Sequence, residues 1–294
     1  MSLHSAKGKK KIGTWSKLVA LCTKSMGGYY RSNGTVVRNI AAGKISDDED
    51  AIFVETNVEF ANITERTHAR IRHQETQRQE NIETILSIVS SLIGEKAPIQ
   101  SVDPDWTNIF FHYAQNVSNK NMQSLWARAM VCELKRPSSI SKRSLNFLYH
   151  CDIWEITAFK KVANYAFIGG NGHPFIFRTK KDLLNKDDIF TETRLLSHCI
   201  NACMITSEPK DLVVGFHFSY NKKKHFIDHE SSSFGQSVGF YQQSFTKTGS
   251  DIMKLLGGLE AIPSSNMHRK LVWEYLSDFV EIETEHETDE VMAG

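Results

Sequence analysis

From residue 100 to residue 168 the apolar side chains recur at helical spacing, and each run opens on a residue able to cap it. Asp103-Pro104 starts the first run. The aspartate accepts bonds from free backbone N–H groups, and Pro104 sits in the first turn, where its missing N–H costs nothing. Trp106, Phe110, Tyr113, Ala114 and Val117 then share one face. Ser118 is expected to cap a second helix carrying Met122, Leu125, Trp126, Ala129 and Met130, which Pro137 stops. Ser141 caps a third through Leu145, Leu148 and Tyr149; after Asp152 a fourth bears Ile153, Ile156, Phe159, Val162, Ala163 and Ala166. Four amphipathic helices joined by short turns predict a compact bundle with its aromatics in the core.

The flanking segments have different characters. Residues 51–93 carry a helical signal that buries Ile82, Ile85, Leu86, Val89, Leu92 and Ile93, while Thr64–Asn81 is polar nearly all round. A continuous helix from 57 to 93 would be roughly 55 Å long. Such a helix needs i,i+4 charge pairs or a partner to support its polar half. Trp15, Leu18, Val19, Cys22 and Met26 predict a short basic amphipathic helix, and residues 29–50 read as a linker. After Gly169-Gly170-Asn171-Gly172 come short strand candidates (174–177, 212–218, 225–227, 239–241) and helices at Thr191–Cys203 and after Thr246-Lys247-Thr248-Gly249. The expected fold is mainly α: a helical bundle with a long projecting helix, followed by a smaller α+β winged-helix-like module. The expected domains are a basic arm and linker (1–50), a helical domain (51–168), the α+β module (169–260), and a helix with an acidic tail (261–294).

Charge is uneven along the 294 residues. The net charge of +1 hides nine basic residues and no acid in 1–44, and eight acids without Lys or Arg in 271–294. The basic arm (Lys7, Lys9, Lys10, Lys11) is therefore open to an anionic partner, with the acidic tail as its internal screen. Deleting 277–294 is expected to raise polyanion binding. With 40% hydrophobic and 23% charged residues the chain is globular rather than disordered. No apolar run of 18 residues spans a bilayer. Five cysteines without a CxxC pair and no secretory signal predict a cytoplasmic protein without a disulfide framework.

Motif chemistry is sparse. His217, His225 and His229 belong to strand or loop, where positions four apart lie roughly 13 Å from each other, too far to share a metal. Cys199 and Cys203, beside His198, read as a core-facing pair. The Gly169–Gly172 run lacks the Lys-Ser/Thr of a phosphate loop, and no Gly-x-Ser-x-Gly elbow occurs. No catalytic residue, metal or cofactor is assigned, and nothing names a small-molecule ligand. Lys222, Lys223 and Lys224 are placed at a hairpin tip that would touch phosphates, with Arg194 the one strong cation of the preceding helix.

Several stretches resemble an uncharacterised bacterial family, domain of unknown function 2806: Gln77-Arg78-Gln79-Glu80-Asn81-Ile82-Glu83, Val102-Asp103-Pro104-Asp105-Trp106, Phe110-Phe111, Ser118-Asn119, Met122 to Ala127 with Leu125-Trp126, and Ser141 to Leu145. Gln79, Glu80, Asn81, Asp105, Trp106, Leu125 and Trp126 are read as its structural signature. Leu125 to Arg128 also looks like a helix of the abortive-infection alpha family. Phe245-Thr246-Lys247-Thr248-Gly249 stands where that family has Leu-Thr-x-x-Gly. The resemblance implies an accessory protein of bacterial prophages or defence islands and carries over no catalytic residue. The leading expectation is a non-enzymatic interaction or regulatory module with a protein partner or a second copy of itself. A winged-helix DNA/RNA-binding protein is the alternative, and a toxic phage-defence effector the second.

Overall fold

The computed structural model describes residues 21–23, 25–27, 29–30, 36–39, 53–56, 62–93, 100–179, 193–220, 223–228, 237–258, 273–274, 277 and 281–284. The chain divides into two compact units, 1–83 and 84–294.

In the first unit, Tyr29–Tyr30 (β1), Val36–Asn39 (β2) and Phe53–Thr56 (β3) form an antiparallel sheet in that order. The segment expected as linker therefore contains strands. Val36-Val37 and Phe53-Val54 are β-branched and aromatic pairs, too short to show an alternation by themselves. Helix α1 accordingly starts at Ile63 instead of 57 and runs to Ile93, 31 residues or roughly 46 Å. The Asn62 side chain accepts the Glu65 N–H at 3.1 Å. Along the polar half, Arg70 donates to Gln74, Arg78 to Glu75, and Gln79 to Glu83. These i,i+3 and i,i+4 pairs are the support such a surface requires.

The second unit joins helices to a large sheet. Ile85 and Val89 of α1 enter a core shared with Pro104–Ala114 (α2), Lys120–Lys135 (α3), Lys142–His150 (α4) and Ile153–Ala163 (α5). Asp103 and Ser141 cap α2 and α4 as expected. Asn119 caps α3 in place of Ser118, accepting from the N–H groups of Asn121 and Met122. Asp152 and Glu155 form a capping box on α5. Trp106 stacks on Phe110, Phe110 meets Trp126 edge-on, and the Trp106 Nε1–H donates to the Ile140 carbonyl at 2.8 Å.

The remaining elements are Ala166–Gly169 (β4), Pro174–Thr179 (β5), Thr193–Asn201 (α6), Lys210–Val213 (β6), His217–Tyr220 (β7), Lys223–Asp228 (β8), Ser237–Ser244 (β9), Lys247–Leu255 (α7) and Glu281–Thr284 (β10). Their strands make one antiparallel sheet of seven, in the order β10-β8-β7-β4-β5-β9-β6. Period-2 alternation divides its faces. Ile176 of β5 joins the helical core, whereas Phe175 and Phe177 join an aromatic cluster with Phe167, Phe218, Tyr220, Ile227 and Phe240.

This architecture corrects the expected fold class. Helices still predominate among the described residues, but they share the fold with a seven-stranded antiparallel sheet, and the C-terminal part is no winged-helix-like module. The hairpin assigned to a wing is two inner strands of the seven-stranded sheet, β8 lying between β7 and β10. Ala166, expected to end a helix, pairs with Ile176 in β4. Pairing across many intervening residues leaves no local trace, so isolated strand signals do not reveal the sheet's size.

Candidate functional site

Of the cations expected to bind nucleic acid, Lys223 and Lys224 stand at the tip end of the β7–β8 hairpin, where Tyr220 pairs with Lys223. Lys223 and Lys224 are exposed at the start of β8, in register with Tyr220 and Ser219. Arg194 lies in the first turn of α6, on a different element. Lys222, His229 and the arm residues Lys7, Lys9, Lys10 and Lys11 lie outside the described residues. His225 is buried on β8 against the Trp273 ring, at 4.7 Å, and burial holds its pKa below the ordinary histidine value. Among the described residues no group of three His, Cys, Asp or Glu is placed to hold a metal.

The residues of the family signature sit mostly in structural positions. Trp106, Leu125 and Trp126 are buried. Asp105 lies in the first turn of α2, where its carboxylate faces Lys142 at 3.7 Å. Gln79 holds Glu83 at 2.8 Å, Glu80 is exposed and Asn81 half-buried along α1.

A different constellation stands at the α4–α5 junction. Tyr149, Ile153 and Trp154 are 38%, 39% and 52% exposed, three large apolar side chains within six residues. The junction is sharp because α4 ends at His150 and the capping box starts α5 three residues later. Tyr149 stacks on Tyr113 at 4.5 Å and lies edge-on to His150 at 4.9 Å. Trp154 rests on the His198 ring of α6 at 4.6 Å. The His198 Nε2–H donates to Glu155 Oε1 at 2.7 Å, and Glu155 Oε2 accepts the Asp152 N–H, also at 2.7 Å. One carboxylate thus fixes both the start of α5 and the imidazole under the tryptophan.

Two thiols lie near this carboxylate. Burial first, and then the Glu155 charge, push Cys151 and Cys199 up to about 12. They are protonated at neutral pH and are not nucleophiles. The arrangement therefore presents exposed aromatic surface, with Tyr149 stacked on Tyr113 and Trp154 on an imidazole that Glu155 holds.

Sequence reasoning placed Tyr149 and Ile153 on buried faces and saw His198 only beside Cys199. Trp154 was the available signal, because it falls off the Ile156–Phe159–Val162–Ala163 stripe. Only the fold brings Glu155 and His198 together across 43 positions.

Residues 65–198 match a family model described as "Protein of unknown function (DUF2806)". The resemblance to domain of unknown function 2806 therefore holds over a segment running from α1 into α6 and including the whole aromatic junction. None of the curated proteins and none of the solved structures matches the chain.

Proposed function

We propose that this bearer of the DUF2806 segment is a non-enzymatic interaction module that associates with a second copy of itself through the Tyr149–Ile153–Trp154 surface. Trp154 carries the reading: it is half exposed and rests on the His198 ring, which Glu155 in turn holds. Aromatic anchors that cost little ordering entropy are the side chains that dominate interfaces. The charge pattern supports a like partner, because a basic front and an acidic tail of nearly equal magnitude are complementary between two copies. A prophage or defence-island setting rests on the family resemblance alone.

Light scattering of the full chain across a concentration series tests the reading. The expected mass rises toward a dimer, and Trp154→Glu shifts that rise to at least about 30-fold higher concentration, the equivalent of a 2 kcal/mol anchor. Its melting temperature should stay within about 2 °C of the unmodified protein, because Trp154 is not in the core. An unmodified chain that stays monomeric throughout overturns the proposal.

A further inference from the structure

A second surface, independent of the aromatic junction, is built around the loop between α3 and α4. Its sequence, Arg136-Pro137-Ser138-Ser139-Ile140-Ser141, has no regular structure to satisfy its backbone. Two buried carboxylates do so instead. Glu133, 1% exposed, accepts the N–H groups of Ser138 and Ile140 at 2.6 and 3.0 Å. Asp251 of α7 is fully buried, and its Oδ2 accepts the Ser141 N–H and the Ser144 hydroxyl at 3.0 and 2.9 Å. Its Oδ1 accepts Lys247 at 2.6 Å and Lys254 at 3.2 Å. Both ammonium groups also donate to the Ser139 carbonyl, at 3.1 and 3.2 Å.

This geometry leaves a defined pair of charges facing outward. The two ammonium nitrogens share one carboxylate oxygen, so they stand less than about 6 Å apart. Each has three donors and spends two on the protein, which leaves one apiece for an external acceptor. More cations surround them. Lys135 and Arg136, exposed at the end of α3, have no ion-pair partner among the described residues. Arg128, one face along α3 from Lys135 and about 10 Å away, is exposed and donates to the Leu255 carbonyl at the end of α7. Asp251 and Glu133 offset two of the five positive charges named here, which leaves an excess of three on this face.

We propose that this α3–α7 face binds the phosphodiester backbone of a nucleic acid. Lys247 and Lys254 would share one phosphate through their spare donors, and Arg128, Lys135 and Arg136 would engage neighbouring ones. Such contacts carry no base readout, so binding should be insensitive to sequence and steeply dependent on salt. The loop is held rigid before the ligand arrives, which lowers the ordering cost of binding. Neither Lys223 nor Lys224 contributes to this face.

The test is fluorescence anisotropy of the full chain with a labelled 20-base-pair DNA duplex between 20 and 200 mM salt. Lys247→Gln/Lys254→Gln should weaken binding at least about 10-fold at 100 mM salt and reduce the log–log salt slope by about 1–2. This pair also helps to hold Asp251, so a second variant guards against a folding artefact. Lys135→Gln/Arg136→Gln touches no described partner and should reduce the slope by a similar amount with an unchanged melting temperature. Lys223→Gln/Lys224→Gln should leave both affinity and slope unaltered. Slopes equal to the unmodified protein in both the Lys247/Lys254 and the Lys135/Arg136 variants would assign any binding to the N-terminal arm and overturn the proposal. Absence of binding at 20 mM salt overturns it as well. So does protection of Lys247 and Lys254 from acylation by inorganic phosphate without any binding of duplex, which identifies a small-anion site.

Discussion

Asp251 shows at the scale of one residue how this chain converts a buried charge into shape. A carboxylate without solvent is costly unless its acceptor sites are filled. Here a backbone N–H, a hydroxyl and two ammonium groups fill them, and in doing so tie α7 to the start of α4. The thiols show the opposite use of burial. Cys151 and Cys199 are pushed up to about 12, mainly by desolvation and further by Glu155. A raised thiol pKa means that the native state keeps a proton the unfolded chain loses above pH 9. The two thiols therefore favour the fold below about pH 9, and this contribution is lost as pH rises from there toward 12. Timed alkylation followed by mass spectrometry at pH 8 should find the exposed Cys203 modified first, with Cys151 and Cys199 reacting only in denaturant. Equal rates for the three would mean that Cys151 and Cys199 are not buried as described. Little of this was legible beforehand. Asp103, Ser141 and Asp152 announce themselves because capping is local, whereas Asp251 reads as one more surface acid until Ser141 and Ser144, more than 100 positions away, are placed against it.

Single elements were read best where their signals are local, and the start of α7 shows both the reach and the limit of such reading. Phe245-Thr246-Lys247-Thr248-Gly249 looked like a family helix start, and each fixed position has a physical task. Phe245 is in the core, edge-on to Phe159. Thr246 caps the helix by accepting the Gly249 N–H at 3.1 Å, and its hydroxyl donates to the Cys203 carbonyl at 2.6 Å. Gly249 has no room for a side chain, since a Cβ there would lie 2.0 Å from the Met204 carbonyl oxygen. Backbone cannot yield as a flexible side chain does, so Gly249→Ala should cost about 3 kcal/mol. Urea unfolding should show it as a lower midpoint at unchanged slope. A cost below about 1 kcal/mol would mean that Met204 moves aside freely. The limit appears in β4. Ala166-Phe167-Ile168 continues the apolar run of α5 without a break, and only pairing with Ile176, Phe175 and Pro174 makes it a strand.

At the scale of the whole molecule, the correction with the largest consequence concerns the acidic end. Composition marks 271–294 as a charged tail, yet Glu281–Thr284 is β10, antiparallel to β8 with Glu281 in register with Asp228 and Thr284 with His225. Polar strand residues of this kind suit an edge position, where charge discourages further pairing. Deleting 277–294 therefore does two things at once: it removes negative charge and it uncovers β8. The two effects separate in a pair of truncations. Removing 285–294 takes away Glu285, Glu287, Asp289 and Glu290 and leaves β10 in place. It should raise polyanion affinity at low salt if the tail screens the basic arm, and leave the melting temperature unchanged. Removing 277–294 exposes the unpaired N–H and C=O groups of β8. It should lower the melting temperature by about 5 °C, given the 2–4 °C expected per kcal/mol for a unit of this size. It should also produce larger species on size exclusion as the bare edge recruits other chains. If both truncations elute and melt like the full chain, β10 does not protect the sheet. The acidic residues would then act through charge alone.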